Sequence, residues 1–142
     1  MGIQLKQLAD GSAGLEGVNL DAGAFIHINI PYNTTTPLTM SGICPSRRLQ
    51  VQGIFCVTDV ASTNAVTATV FNAANTVALA SGAAVHSGTF SLQTTAGTNA
   101  SLTLSATPSA LVVIGGSRVG VVISGALGAA GSGVITIACT PL

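Results

Sequence analysis

The stretch Phe25-Ile26-His27-Ile28-Asn29-Ile30 alternates between isoleucine and aromatic or polar residues. Because successive side chains of a β-strand point to opposite faces, this pattern predicts a strand with the isoleucines on one face and Phe25, His27 and Asn29 on the other. Pro31 removes a hydrogen-bond donor, and residues 33–37 are rich in turn formers, so the strand is predicted to end at Pro31.

Similar segments follow along the chain, and turn-forming residues separate them at spacings of roughly 8–14 residues. Between positions 48 and 58, one strand face is predicted to hold Leu49, Val51, Gly53, Phe55 and Val57. Further predicted strands are carried by Val66, Ala68 and Val70; Val77 and Leu79; Phe90 and Leu92; Leu102 and Leu104; Val119, Val121 and Ile123; and residues 134–139. The glycine-rich segments 115–117 and 125–133 are predicted to be hairpin connections.

The sequence therefore predicts an all-β fold of about eight antiparallel strands, with no helix as long as three turns. Short strands at this spacing, rich in valine and threonine, are typical of a β-sandwich of the jelly-roll type. An immunoglobulin-like sandwich has the same strand spacing, so the sheet topology stays open at this point.

Residues 1–24 differ from the β-domain, residues 25–142. They hold four of the eight charged residues and five of the glycines, without sustained periodicity. Scattered apolar anchors occur at Ile3, Leu5, Leu8, Leu15, Val18 and Leu20. Two interpretations remain open: an extended N-terminal arm that becomes ordered on another surface, or an edge strand with loops that packs on its own domain.

The charge content points to an assembly. Only 6% of the residues are charged and the formal net charge is zero, which gives an isolated monomer poor colloidal stability.

Four basic residues are too few for the about 6–10 phosphate contacts of a typical DNA-bound protein. Phe55, Phe71 and Phe90 lie on alternating patterns and are predicted to be core residues, not base-stacking platforms. No nucleic-acid partner is therefore expected.

No membrane partner is expected either. The apolar run at residues 110–114 is about five residues long, whereas a membrane-spanning helix needs roughly 20. The first residues lack the charged and apolar segments of a signal peptide, so synthesis in the cytoplasm without secretion by the common route is expected.

Residues that carry catalysis or bind metals are few and dispersed. Asp59 is the only acid after residue 24, and no Gly-x-Ser-x-Gly motif supports a triad with His86. His27 is predicted to be a structural or interface residue, and His86 to be solvated in a turn. No enzyme activity, cofactor or metal site is predicted, although a trimer axis could bring three copies of one histidine together.

The three cysteines show no metal-ligand spacing. Cys56 and Cys139 fall within apolar strand patterns, where a free cysteine behaves as a small hydrophobic residue. Buried free thiols are therefore favoured over a disulfide, and Cys44 has no assigned role.

Arg47 and Arg48 form the only charge cluster after residue 24. They are interpreted either as an ionic anchor for an acidic partner surface or as solvated charges that deter edge-to-edge strand pairing. Together with the anchors of the arm, they complete the candidate partner-binding residues: Ile3, Leu5, Lys6, Leu8, Leu15, Arg47 and Arg48.

In its overall pattern the chain resembles the small decoration, or cement, proteins of tailed-bacteriophage capsids. The shared features are an N-terminal arm, a charge-poor β-domain, and the closing passage Ser117-Arg118-Val119-Gly120-Val121-Val122-Ile123-Ser124-Gly125 that leads to Gly133-Val134-Ile135-Thr136-Ile137. The resemblance covers the whole chain and includes no catalytic signature.

This resemblance implies a non-enzymatic virion protein on the capsid exterior, made in the host cytoplasm. Such proteins commonly form homotrimers that clamp neighbouring subunits of the major capsid protein lattice. The alternative function is a tail-fibre, spike or adhesin-like module that binds a host glycan or protein, with Tyr32 beside Asn33 and Thr34 as its candidate contact. A jelly-roll hydrolase would need an acid or metal cluster, and none is evident in the sequence.

Overall fold

The computed structural model describes residues 4–7, 13–16 and 25–142, the first two segments as backbone alone. Strands β1 (Gln4–Gln7) and β2 (Ala13–Glu16) form an antiparallel pair. Neither pairs with another described strand. Predictions that concern Ile3 and Leu8 lie outside the described residues.

The β-domain consists of ten strands and two short helical segments. The strands are β3 (Ile26–Tyr32), β4 (Thr39–Ile43), β5 (Leu49–Val60), β6 (Thr67–Ala73), β7 (Ala83–Ala84), β8 (Phe90–Ser91), β9 (Thr98–Ser101), β10 (Val112–Val113), β11 (Arg118–Ile123) and β12 (Ser132–Pro141). The helical segments are a 3-10 turn (Leu79–Ser81) and α1 (Pro108–Leu111). No described helix has the length and apolar character needed to cross a membrane.

The strands form two antiparallel sheets. Sheet I has the order β3-β12-β5, and β10 and β9 both pair with the remaining edge of β5. Sheet II has the order β4-β11-β6, and β7 and β8 share the remaining edge of β6. This is the strand order of a jelly roll, so the predicted fold class is confirmed. Ten strands replace the predicted eight because two edge positions are each divided between two short strands.

The core lies between the two sheets. Sheet II contributes Val70, Val119 and Val121, each 0% exposed. Sheet I contributes Ile135 and Ile137, which are also fully buried. These inward faces follow the predicted alternation, because one side of each strand packs on the opposite sheet. The isoleucine face of β3 is confirmed in the same way: Ile28 and Ile30 are buried, while His27 and Asn29 are exposed.

Strand β5 departs from the prediction. Leu49 and Val51 are buried as expected, but Phe55 is 39% exposed and Val57 is 36% exposed. Val51 lies opposite Cys139 and Gly53 lies opposite Ala138, so one extra residue, Gln52, sits between two consecutive partners on β12. Such a bulge exchanges the two faces of the strand beyond it. The prediction that Phe55 is a core residue is therefore wrong.

Three local predictions are also wrong. Val77 and Leu79 do not form a strand; a 3-10 turn at Leu79–Ser81 takes their place. Leu102 and Leu104 lie beyond β9, and Leu104 makes an isolated bridge with His86. The strand β3 continues through Pro31, because β3 pairs only with β12 among the described strands, and an edge strand tolerates a missing donor.

The glycine-rich segments do not form hairpins. Residues 115–117 join β10 of sheet I to β11 of sheet II, and residues 125–131 join β11 back to β12 of sheet I. The left-handed backbone of Gly116, with φ of 83°, fits the turn that was predicted there. Both segments connect one sheet to the other. Such a connection uses the same turn-forming residues as a hairpin, so the sequence alone does not distinguish the two.

Candidate interaction surfaces

His86 is a buried structural residue, so the prediction of a solvated histidine is wrong. Its side chain is 4% exposed, and its Nε2 atom accepts a hydrogen bond from the backbone N–H of Val70 at 2.9 Å. Its ring packs on Phe90 with the centroids 5.6 Å apart. Among the described residues Nδ1 has no hydrogen-bond partner, so no described carboxylate is placed to complete a triad. A residue this deeply buried also cannot hold a metal ion at a trimer axis.

Burial lowers the pKa of His86 from its usual 6.5, and the backbone of Ser87 and Gly88 opposes the shift. The unfolded chain therefore binds a proton more readily than the folded chain. The stability contributed by neutral His86 is present above pH 6.5 and is lost as the pH falls towards the lower folded pKa.

We expect the free energy of unfolding to decrease below pH 6.5, with a slope of at most about 1.4 kcal/mol per pH unit from this one proton. Urea unfolding between pH 7.5 and 5 measures the slope. His86→Gln, which keeps an acceptor for the Val70 N–H, is expected to lose this pH dependence. His27→Gln is the control and should keep it, because His27 is exposed. Equal slopes in the wild type and His86→Gln would contradict the assignment.

The cysteines are free thiols, as predicted. Burial raises the pKa of Cys139 to about 11 and also raises the pKa of Cys56. Both groups are therefore protonated at neutral pH and are poor nucleophiles. Cys44 is exposed, and within the described part of the chain no group of three His, Cys, Asp or Glu residues is arranged to hold a metal ion.

Tyr32 cannot stack on a sugar, because its side chain is only 2% exposed. Its hydroxyl donates to Thr58 Oγ1 at 3.4 Å and lies 4.0 Å from Cys56 Sγ. Burial raises the pKa of Tyr32 to about 12. The contact predicted for a glycan-binding module is therefore a core residue.

The outer face of sheet II is partly covered by the chain itself. Leu79 of the 3-10 turn is 3% exposed and packs against Gly120 of β11, where a Cβ atom would lie 2.7 Å from Leu79 Cδ2. The Arg118 side chain donates a hydrogen bond to the backbone carbonyl of Val77 and so holds the same segment in place. An apolar patch on this face is thus buried within the monomer.

The outer face of sheet I has no such cover among residues 25–142. The register aligns Phe55 with Thr136 and Val57 with Val134, which lies next to Pro31 of β3. Near one end of this face, Phe25 is 59% exposed and stacks on His27 with the centroids 6.2 Å apart. We define the sheet I patch as Phe25, Pro31, Phe55, Val57 and Val134.

The sheet I patch carries no charged side chain. Its neighbours on the same face, Asn29, Ser101 and Thr136, are uncharged, and Asn29 accepts a hydrogen bond from Thr136 Oγ1 at 2.8 Å. Asp59, two residues beyond Val57 on the same face of β5, is the charged side chain that borders the patch. Outward-facing strand residues of a sandwich are ordinarily polar, so this face has the character of a contact surface.

The arginines lie together at one end of the β-domain. Arg47 and Arg48 are exposed and precede β5 directly. The neighbouring turn is held to the same segment, because Gly116 N–H donates to the Pro45 carbonyl at 3.1 Å, and Arg118 follows two residues later. The Arg118 side chain itself is bound to the Val77 carbonyl, so we call Arg47 and Arg48 alone the arginine end.

This arrangement bears on the two interpretations of the arginine pair. At Leu49, strand β5 pairs with β12 on one side and β10 on the other, so it is not an edge strand there. The interpretation that Arg47 and Arg48 deter edge pairing is therefore wrong. Plain solvated charge and an ionic contact with a partner both stay predictions.

Among the predicted partner-binding residues, the register of β1 and β2 places Leu5 opposite Leu15. Ile26 lies opposite Cys139 near the end of β12, so the N-terminal segment joins the β-domain at the arginine end. Leu5, Lys6 and Leu15 lie in the β1–β2 pair, whose side chains are not described. Arg118 and the sheet I patch were missed, since only the sheet register shows where they lie.

Comparison with known proteins identified no relative of this chain. No protein-family model, curated protein or solved structure matches this chain. A functional interpretation must therefore be built on the sheet I patch, the arginine end and the inert buried histidine and cysteines.

Proposed function

We propose that this chain is a virion structural protein that binds the exterior of an assembled phage capsid as a homotrimer and holds neighbouring shell subunits together. The observation that supports it is the sheet I patch, an apolar surface that residues 25–142 leave exposed. Contiguous exposed apolar patches of this kind mark protein contacts on soluble proteins.

The buried histidine and the two buried cysteines favour a binding role over catalysis. His86 is buried, and its accessible lone pair is already used by the Val70 N–H. Cys56 and Cys139 are buried thiols with raised pKa values. A binding function requires none of these groups to reach a ligand.

A homotrimer is suited to a partner that presents the same surface many times, such as a lattice of shell subunits. Each copy presents one sheet I patch, and each patch needs only modest affinity for a shell subunit. When three linked patches engage three neighbouring subunits, later contacts form at high effective concentration and overall affinity rises steeply. Three simultaneous contacts also tie the shell subunits to one another, which is the cementing effect.

The double substitution Phe55→Ser and Val57→Ser is expected to reduce head binding about a hundredfold while leaving the fold intact. Removing these partly exposed apolar groups costs about 1 kcal/mol of contact energy per copy. A trimer that binds with all copies multiplies this loss. Cosedimentation with undecorated heads measures the affinity, and circular dichroism checks the fold.

The matched control is Leu38→Ser. Leu38 is 45% exposed, but it lies in the connection between β3 and β4 and not on the sheet I patch. Its substitution should leave head binding unchanged. Head binding by the double variant at wild-type affinity would refute the role given to the patch.

A further inference from the structure

One edge of sheet II is only partly covered by neighbouring strands. Strand β7 pairs with β6 at residues 71–72, and β8 pairs with β6 at residues 67–68. Between these pairings, no described strand pairs with residues 69–70 on this edge. Because Val70 is 0% exposed, its backbone N–H and carbonyl groups need hydrogen-bond partners at this gap.

His86 fills this gap with a side chain. The Val70 carbonyl accepts a hydrogen bond from the Val85 backbone N–H at 3.1 Å, as it would from a paired strand. The Val70 N–H instead donates to the His86 Nε2 atom at 2.9 Å. The imidazole thus replaces a backbone carbonyl in the hydrogen-bond ladder of β6. Unlike a carbonyl, the imidazole loses its acceptor when it binds a proton.

The chain leaves the edge of β6 directly after His86. His86 forms an isolated bridge with Leu104. The Ser87 N–H donates to the Thr103 carbonyl at 2.9 Å, so this part of the backbone is no longer held by β6. Residues 87–89 are exposed. The imidazole is therefore buried directly beside a short exposed loop.

No ionic partner holds the imidazole in place. Residues 60–117 include β6 to β10 and contain no other titratable side chain. On the adjoining strand β11, the Arg118 side chain donates to the Val77 carbonyl. Since Nε2 of His86 accepts a hydrogen bond, Nδ1 carries the proton of the neutral ring, and among the described residues Nδ1 has no partner. A buried donor without a partner destabilises the buried position of the ring.

We propose that His86 is a pH-operated latch: its neutral ring closes the ladder of β6 at Val70, and its protonated ring moves into water together with residues 87–89. The imidazolium has two N–H donors and no acceptor, so it cannot satisfy the Val70 N–H. Opening uncovers that N–H and the Phe90 ring, on which His86 packs with the centroids 5.6 Å apart. The latch goes beyond the proposed function and does not rest on it, since the sheet I patch contributes no residue to it.

The opening is expected to stay local. On its other edge β6 pairs with β11 over residues 68–73, whereas β7 and β8 each contribute only two paired residues. Edge segments with few backbone hydrogen bonds open at a lower free energy than central ladders. Acid is therefore expected to open the segment around His86 while the two sheets remain packed.

Amide hydrogen exchange in the full-length protein, measured by NMR at pH 7.5 and 5.5 and corrected for the intrinsic rates, tests the latch. The opening equilibrium at the Val70 N–H is expected to rise by up to about tenfold at pH 5.5, because the exposed ring titrates near its usual pKa of 6.5 while burial lowers the pKa of the closed form. Exchange at Val70 should change little in dilute urea, as expected of a small opening, whereas Ile137 of β12 should be better protected and more sensitive to urea.

His86→Gln keeps an acceptor for the Val70 N–H but cannot be protonated, so its Val70 exchange should not depend on pH after correction. The control is His27→Gln, which alters an exposed histidine and should behave as the wild type. Imidazole ¹⁵N shifts of the wild type at pH 7.5 give a readout that needs no variant: Nδ1 of His86 should carry the proton. Protonated Nε2, pH-independent exchange in the wild type, equal pH dependence in His86→Gln, or equal protection and urea sensitivity at Val70 and Ile137 would each overturn the latch.

Discussion

Gly133→Ala is expected to destabilise the β-domain by about 3 kcal/mol, the cost of forcing an extra carbon into a packed core. Gly133 lies in β12 beside Tyr32 of β3. A Cβ atom there would overlap the Val57 carbonyl oxygen and would lie 2.5 Å from the Tyr32 hydroxyl oxygen. The carbonyl belongs to the backbone of β5, so no side-chain rotation relieves the overlap.

This prediction is measured by thermal and urea unfolding. A loss of this size lowers the melting temperature by about 10 °C in a protein of this length. Gly125→Ala is the matched control, because its Cβ would meet only Val66 Cγ1 at an ordinary 3.5 Å. If Gly133→Ala is as stable as the wild type, the prediction is wrong. β12 and β5 would then be able to move apart at little cost in free energy.

Deletion of residues 1–23 is expected to abolish attachment to heads while the β-domain remains folded. The buried core of residues 25–142 extends from Ile28 to Cys139. The segment is the arm predicted to become ordered on another surface, so its loss removes the arm's contacts with the shell.

Two measurements on the truncated protein decide this prediction. Circular dichroism should retain the β-sheet spectrum, and cosedimentation with undecorated heads should fall to background. Head binding equal to that of the full chain would sink the role of residues 1–23 in attachment. A truncated protein that is unfolded would instead show that these residues pack on their own domain.

Much of the sheet architecture follows from the sequence. The alternation at Val119, Val121 and Ile123 is local information, because the period of a strand is fixed by backbone geometry. All three residues are buried as predicted. The absence of long apolar periodicity at helical spacing likewise excluded long helices, and both described helical segments are short.

Where the prediction failed, the missing information was a partner strand. The bulge at Gln52 depends on how β5 pairs with β12, about eighty residues further along the chain, and no local pattern encodes it. The same bulge turns Phe55 and Val57 outward and so creates the sheet I patch. His86 was placed in a solvated turn because its neighbours are small, yet the sheet gives it the Val70 N–H as a partner.

The sequence by itself determined the all-β class, the inward faces of most strands, the free thiols and the separation of an acidic N-terminal segment from a basic domain. These properties depend on composition and on the two-residue period of a strand. Only the tertiary structure decided which face of β5 is exposed, that His86 is buried, and that the Arg118 side chain binds the Val77 carbonyl. The reason is physical: strand register and sheet crossings are set by contacts between distant segments, whose energies no single stretch of sequence contains.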